Sequence, residues 1–189
     1  MTGPVPGPDG RPRCPWGAGP STDYLSYHDE EWGRPLHGDT ELFERVSLEA
    51  FQSGLSWLTI LRKRPAFRAA FAGFDPAVVA TFDIDDETRL LADAGIVRNR
   101  AKVAATIANA RAVLALDRSL SELLWSFAPD PPRAAPRTSA DVPAVTPEST
   151  AMAKALKREG FRFVGPTTAY ALMQATGMVN DHLAGCDFR

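Results

Sequence analysis

A cysteine and a histidine near each end of the chain form the feature that most constrains its fold. Cys14 and His28 lie near the N-terminus, and His182 and Cys186 lie near the C-terminus. The spacing of four residues between His182 and Cys186 places both side chains on one side of a helical turn. Two cysteines and two histidines form a common tetrahedral zinc set, and free cysteines with hydrogen-bonded histidines are the alternative. If these residues bind one zinc ion, the fold must join the two ends of the chain.

The length and charge of the chain limit its class. Its 189 residues, 44% of them hydrophobic, are enough for one domain or two small lobes with a core. The net charge of −2 excludes a protein that is basic overall, but it allows a local basic patch for nucleic acid. No apolar run approaches the ~20 residues that a membrane span needs, so we expect no membrane partner.

The first residues differ in composition from the rest. Residues 1–13 contain four prolines and three glycines, and they lack the apolar stretch of a signal peptide. We therefore expect a disordered leader over 1–13 and a folded unit over 14–189. Two cysteines without a signal peptide fit a reducing compartment, which predicts a cytoplasmic protein.

Helical periodicity and capping residues dominate residues 14–189. They predict helices from about 39 to 53, from 57 onward with a break or restart at Pro65, over 77–81, from a cap at Asp85 to Gly95, over 101–116, over 120–127, over 147–160, and from 166 to 176. Residues 129–148 are rich in proline and aperiodic, so we expect a surface loop there. No convincing alternating strand occurs, and the predicted class is all-α.

The connection between the last two predicted helices has the pattern of a helix–hairpin–helix. Gly165 permits close approach of another molecule to the backbone, and Thr167 and Thr168 begin a helix whose free N–H groups can bind phosphate. An ordinary turn with a solvated charged face is the alternative. Basic residues stand nearby in two groups, which are Lys154, Lys157, Arg158 and Arg162, and Arg98, Arg100 and Lys102.

Aromatic residues surround one carboxylate in the first third of the sequence. Glu49 lies on a predicted helix among apolar neighbours, and burial of a carboxylate without a partner is costly. Aromatic planes with a carboxylate can hold a flat nucleobase, whereas core aromatics with a surface glutamate are the alternative. The aromatic residues are Tyr24, Tyr27, Trp32 and Trp57.

Five separate motifs in this order resemble the 3-methyladenine DNA glycosylase I family of bacterial repair enzymes. They are RCPW at 13–16, YHDEEWG at 27–33, LEAFQSGLSW at 48–57, GFRFVG at 160–165 and NDH at 180–182. The resemblance extends from Arg13 to Cys186. It implies an all-α helix–hairpin–helix glycosylase fold of two helical lobes, with a zinc site that joins the N- and C-terminal segments.

The resemblance also implies a role for each matching position. Cys14, His28, His182 and Cys186 match the ligands of one structural zinc ion. Glu49 matches the carboxylate that recognises the flipped base, Tyr27 and Trp57 match the residues that stack on it, and Tyr24 and Trp32 match residues of the same pocket. Gly165, Thr167 and Thr168 of the hairpin are the expected DNA contacts. Asp181 beside His182 is not assigned to catalysis.

The implied activity is hydrolysis of the N-glycosidic bond of 3-methyladenine in alkylated DNA, within base-excision repair. The expected partners are double-stranded DNA and the released free base, and we expect a monomer. The enzyme is expected to be monofunctional, because no lysine occurs from Phe161 to Arg189 to form a Schiff base with the sugar. The alternatives are a zinc-stabilised DNA-binding module without activity and a hairpin glycosylase for oxidised or mismatched bases.

Overall fold

The computed structural model describes residues 2–189, and this part of the chain is mostly helical. The all-α prediction is therefore confirmed at the level of class. The nine α-helices in this part are α1 (Thr22–Ser26), α2 (Asp39–Gln52), α3 (Trp57–Ala70), α4 (Pro76–Val79), α5 (Ile84–Ala92), α6 (Arg100–Ala115), α7 (Leu120–Trp125), α8 (Pro147–Arg158) and α9 (Pro166–Ala175). A π-helical turn, Tyr27–Glu31, follows α1 directly, and both were missed by the sequence analysis.

Local chemistry explains where two helices differ from the prediction. Helix α5 starts earlier than expected, because Asp83 rather than Asp85 accepts the free backbone N–H groups of the first turn. Helix α3 continues through Pro65, where we predicted a break or restart. Leu61 and Phe67 on either side of this proline are both buried, so packing of a continuous helix outweighs the loss of one backbone hydrogen bond.

The N-terminal segment is ordered over the part that the structure describes, and the prediction of a disordered leader was wrong there. β1 (Val5–Pro6) pairs antiparallel with β2 (Pro12–Arg13), while Met1 lies outside the described residues. Charge holds this ribbon, because the buried Arg13 guanidinium forms ion pairs with Asp9 and, at 2.8 Å, with Asp29. The composition of residues 1–13 could not predict this order, because Asp29, the ion-pair partner of Arg13, lies on a turn that is distant in sequence.

Helix α2 occupies the centre of the fold. Its residues from Leu42 to Phe51 are all buried, and it packs against α3, α6, α7 and α9. Helices α8 and α9 pack against each other and are joined by the predicted hairpin. A separate small cluster of buried side chains lies where the ribbon meets the C-terminal residues. No helix within residues 2–189 has both the length and the apolar character for a membrane span.

Candidate functional site

A cavity of about 210 Å³ opens beside the central helix α2. It brings together Glu49 and all four aromatic residues that the sequence analysis predicted for a base pocket. It also contains Trp16, which that analysis quoted only as part of a motif. The lining residues are Trp16, Tyr24, Tyr27, Trp32, Glu49, Gln52, Trp57, Ala171 and Gln174.

The π-helical turn and α3 place the aromatic walls. Tyr27 at the start of the turn faces Trp57 at the start of α3, with 5.4 Å between ring centroids and a 45° tilt. The hydroxyl of Tyr24 accepts a hydrogen bond of 3.1 Å from the backbone N–H of Leu58, which ties α1 to α3. The buried indole Nε1 of Trp57 has no hydrogen-bond partner among the described residues, so a donor remains available in the cavity wall.

Glu49 supplies the carboxylate of this cavity. Its side chain is 5% exposed, and burial raises its pKa to about 8. The positive charge of Arg45, one helical turn earlier, acts in the opposite direction and lowers the pKa of Glu49. No hydrogen bond to the Glu49 carboxylate occurs within residues 2–189, which leaves its oxygens available to a ligand. A protonated Glu49 at neutral pH can therefore ionise when a positive charge enters the cavity.

An ionic cluster lies behind the cavity, and the sequence analysis missed it. Glu31 accepts hydrogen bonds from Arg45 at 2.5 Å and from both terminal nitrogens of Arg64 at 2.6 and 2.7 Å. The guanidinium of Arg45 lies 5.6 Å from the ring centroid of Tyr27, and its buried Nη1 has no hydrogen-bond partner in the part of the chain that the structure describes. Two guanidinium groups thus share one carboxylate, and the surplus positive charge acts on Glu49.

Lys102 holds the end of the helix that carries Glu49. Its ammonium donates hydrogen bonds to the carbonyls of Phe51 at 2.9 Å and Ser53 at 2.6 Å. Burial lowers the pKa of Lys102. The sequence analysis grouped Lys102 with Arg98 and Arg100 as basic residues near the hairpin, but its side chain is 7% exposed and caps α2.

The four predicted metal ligands converge in a second, buried cluster. Their ligand atoms all lie within 4.8 Å of one another. Nδ1 of His182 is 3.5 Å from Sγ of Cys186 and 3.9 Å from Sγ of Cys14, while Sγ of Cys186 is 3.7 Å from Nε2 of His28. A tetrahedral zinc ion with arms of about 2.0 Å to nitrogen and 2.3 Å to sulfur requires ligand separations of about 3.5 Å. The donor set and its spacing therefore fit zinc.

The outer nitrogens of both histidines have partners that orient the rings toward the cluster. Nδ1 of His28 lies 2.7 Å from the Asp29 carboxylate, and Nε2 of His182 lies 3.0 Å from the Trp32 carbonyl. Burial lowers the pKa of His182 to about 4, so the ring is neutral at neutral pH, the form that binds metal. A side chain at Gly17 would meet the His28 ring at 2.4 Å, so this position accepts only glycine.

Two of the three predicted DNA contacts, Thr167 and Thr168, line a cleft that adjoins the base cavity. The cleft has a volume of about 250 Å³, and Thr167 and Thr168 of α9 face the turn after α2 across it. This turn carries Leu55, an exposed apolar side chain that the sequence analysis did not single out. Gly165 is exposed, and no heavy atom lies within 4 Å of the place where its Cβ would be. Another molecule can therefore reach the backbone at this position.

Asp181 serves the framework between the two sites. Its buried carboxylate accepts hydrogen bonds from the hydroxyl of Tyr170 and, at 2.9 Å, from Nε2 of Gln174. Arg133 donates in turn to the Tyr170 hydroxyl at 2.8 Å. These bonds connect α9 and the loop after α7 to the segment that carries His182.

Comparison with known proteins establishes the family. A model described as Methyladenine glycosylase matches residues 16–189. The chain belongs to the methyladenine glycosylase family. With this family it is a glycosylase, an enzyme that hydrolyses N-glycosidic bonds.

Characterised relatives cover nearly the whole chain. DNA-3-methyladenine glycosylase 1 of Escherichia coli (strain K12) is 45% identical over 178 residues, which are 92% of this chain and 95% of the relative. DNA-3-methyladenine glycosylase of Haemophilus influenzae is 43% identical over 179 residues, 92% of this chain and 96% of the relative.

Solved structures of the family share the fold. A crystal structure of 3-methyladenine DNA glycosylase I matches with a TM-score of 0.89 at 45% identity, and the match covers 93% of this chain and 98% of the other. A crystal structure of a single-residue variant of such an enzyme, in complex with 3-methyladenine, matches with a TM-score of 0.87 at 35% identity, over 93% and 96% of the two chains.

Proposed function

We propose that this chain excises 3-methyladenine from alkylated double-stranded DNA in base-excision repair, and that Glu49 recognises the flipped base. The observation that carries the proposal is a buried carboxylate that accepts no hydrogen bond from residues 2–189 and lies in an aromatic cavity of about 210 Å³. The relatives named for 3-methyladenine, and the structure in complex with that base, support the choice of substrate. A DNA-binding module without activity has no use for such a cavity.

Charge explains how the cavity would select its base. Methylation at N3 makes adenine a cation while it is attached to the sugar. Tyr27 and Trp57 offer aromatic faces that attract a cation, and ionised Glu49 adds an opposite charge and hydrogen-bond acceptors. Burial raises the pKa of Glu49 to about 8, and the positive charge of the entering base lowers it again, so that Glu49 gives up its proton on binding. An unmodified, neutral adenine gains none of this attraction.

For the hydrolysis itself, the protein needs only to extrude the base from the duplex and hold it in the cavity. Water attacks C1′ of the deoxyribose as the bond from C1′ to N9 breaks. The electron pair of this bond neutralises the cationic base, and the proton of the water is released to solvent. Because the leaving base is already positive, no protein group needs to protonate it. Extrusion costs a few kcal/mol, least for a damaged and weakly paired base.

The direct test is to incubate the protein with methylated duplex DNA and identify the released base by chromatography. We expect free 3-methyladenine. Glu49→Ala should abolish most of the release and the binding of free 3-methyladenine, while DNA affinity remains, because phosphate contacts carry that affinity. Glu41→Ala on the exposed face of the same helix is the matched control. Equal release by the Glu49 and Glu41 variants would disprove the assignment of the cavity.

We further propose that the hairpin binds the DNA backbone through Gly165, Thr167 and Thr168. The open space around Gly165 supports this role, because no heavy atom of residues 2–189 lies within 4 Å of the place where its Cβ would be, and a side chain there would obstruct an approaching strand. Gly165→Val should weaken binding to duplex DNA at fixed salt without a change in melting temperature. Gly19→Val is the matched control, since Gly19 also has nothing within 4 Å of its Cβ position. Unchanged DNA affinity in Gly165→Val would refute the hairpin contact.

The turn after α2 suggests what replaces the flipped base in the duplex. Leu55 is 41% exposed and lines the same cleft as Glu49, Thr167 and Thr168. We propose that its apolar side chain fills the vacated stack. Leu55→Ala should reduce excision from duplex DNA much more than it reduces binding of free 3-methyladenine, and an equal effect on both would contradict the proposal.

We also propose that Cys14, His28, His182 and Cys186 hold one structural zinc ion that joins the ends of residues 14–189. All four positions of the tetrahedron are protein ligands, so the ion stabilises the fold and has no open position for substrate. Elemental analysis should find about one zinc per chain in the protein and less in Cys186→Ser. The variant should also melt at a lower temperature. If wild-type protein from which zinc has been removed melted at the same temperature as the untreated wild-type protein, the assignment would be contradicted.

A further inference from the structure

The hairpin carries an aromatic residue in an unusual backbone conformation. Phe163 has a φ of +58°, in the left-handed region that a bulky side chain rarely adopts. Phe74, also aromatic and left-handed, is fully buried in the core, and its packing offsets the strain. Phe163 is instead 44% exposed, so core packing does not explain why this residue occupies a left-handed position.

A buried side chain from another helix fixes the hairpin just before Phe163. Asn109 of α6 is 1% exposed, and its amide makes two hydrogen bonds to the backbone of Arg162. Its Oδ1 accepts from the Arg162 N–H at 2.7 Å, and its Nδ2 donates to the Arg162 carbonyl at 3.1 Å. These bonds define the direction in which the chain leaves Arg162, and they hold Phe163 in its strained conformation.

The ring of Phe163 belongs to an exposed surface that continues into the hairpin. Arg162, Gly165 and Thr167 are all exposed, and the backbone at Gly165 faces open space. The surface therefore combines one positive charge, one apolar ring and free backbone N–H groups at the start of α9. A DNA strand presents the complementary series, since an apolar deoxyribose separates each negative phosphate from the next.

We propose that Phe163 is a DNA-contact residue whose ring packs against a deoxyribose of the strand that the hairpin binds. The inference rests on the proposed function, and it adds a contact that is neither charged nor specific for a base. Such a contact suits an enzyme that must accept any sequence around the damaged base. The strained backbone is retained because it keeps the ring of Phe163 on the protein surface. In that position the ring contributes little to the stability of the free protein, and it is available to contact DNA.

The test uses the full-length protein and a duplex that contains a tetrahydrofuran analogue of the abasic site. Phe163→Ala and Phe163→Gly should each bind this duplex about tenfold more weakly, while Phe163→Tyr retains the affinity. The dependence of affinity on salt should stay as in the wild type, because no phosphate contact is lost. Arg162→Gln is the contrast, since it should lower the slope of log affinity against log salt by about one.

Two matched measurements separate a DNA contact from a merely structural role. Phe163→Gly should melt about 2–4 °C above Phe163→Ala, because alanine keeps the left-handed strain and glycine removes it. Both variants should bind free 3-methyladenine normally. Unchanged duplex affinity in both the alanine and the glycine variants would overturn the inference. A loss of affinity in Phe163→Ala alone, the less stable of the two, would also overturn it. If Gly165→Val also retained full DNA affinity, the proposed hairpin function itself would fail.

Discussion

Glu49→Gln should make the protein more stable at alkaline pH while it removes most of the excision activity. Burial raises the pKa of Glu49 from 4.5 to about 8. In the unfolded chain the carboxyl ionises near its ordinary pKa, so the folded state loses stability as the pH rises from about 4.5 to about 8. One pKa unit corresponds to about 1.4 kcal/mol, so the loss reaches up to about 5 kcal/mol. A neutral glutamine of the same size avoids this loss.

The assay is urea denaturation of both proteins with the same metal content at about pH 5 and about pH 9. The two should differ little at the lower pH, and the variant should be more stable by several kcal/mol at the higher pH. Groups that do not interact with Glu49 titrate alike in both proteins, and Tyr27, which does interact with it, stays protonated over this pH range because burial raises its pKa, so the difference isolates Glu49. If the stability difference between the two proteins were the same at both pH values, the carboxylate would not be desolvated in the folded protein, and the base cavity would need another interpretation.

Three further predictions follow from the neighbours of Glu49 and from the hairpin. Arg45→Met should shift the rise of kcat/KM for excision to higher pH, because loss of this positive charge raises the pKa of Glu49; Arg45→Lys should not. Lys102→Met should lower the free energy of unfolding by about 1–3 kcal/mol in denaturation experiments, since two carbonyls at the end of α2 lose their donor. Borohydride should trap no adduct between protein and alkylated DNA, because no lysine occurs from Phe161 to Arg189 to form a Schiff base with the sugar; an adduct would favour the oxidised-base alternative.

The sequence predicted the elements that local chemistry determines. Helices α2, α6, α8 and α9 lie close to their expected bounds, because their caps and apolar spacing are visible in adjacent residues. The convergence of Cys14 with Cys186, and of the aromatic residues around Glu49, was expected from the family resemblance, because the residue types alone left the alternatives open. Their proximity is now described, while the zinc ion and the base contacts remain predictions.

What the sequence did not reveal depends on contacts between distant residues. Lys102 looked like part of a basic surface, but it caps a helix about 50 positions earlier in the chain. The ion pairs of Glu31 with Arg45 and Arg64 cross three elements, and no local pattern identifies them. The ribbon at Arg13 was not predicted for the same reason. Its ion-pair partner Asp29 belongs to the π-helical turn, which is distant in sequence.

The junction of the chain ends has a consequence for how the protein is made. Ribosomes synthesise Cys14 and His28 early, so the zinc site proposed above can be completed only after His182 and Cys186 have emerged. Until then the turn Tyr27–Glu31, which carries both His28 and the pocket residue Tyr27, would lack this metal anchor. The proposed zinc ion would therefore couple the geometry of the base cavity to the synthesis of the segment that carries His182 and Cys186.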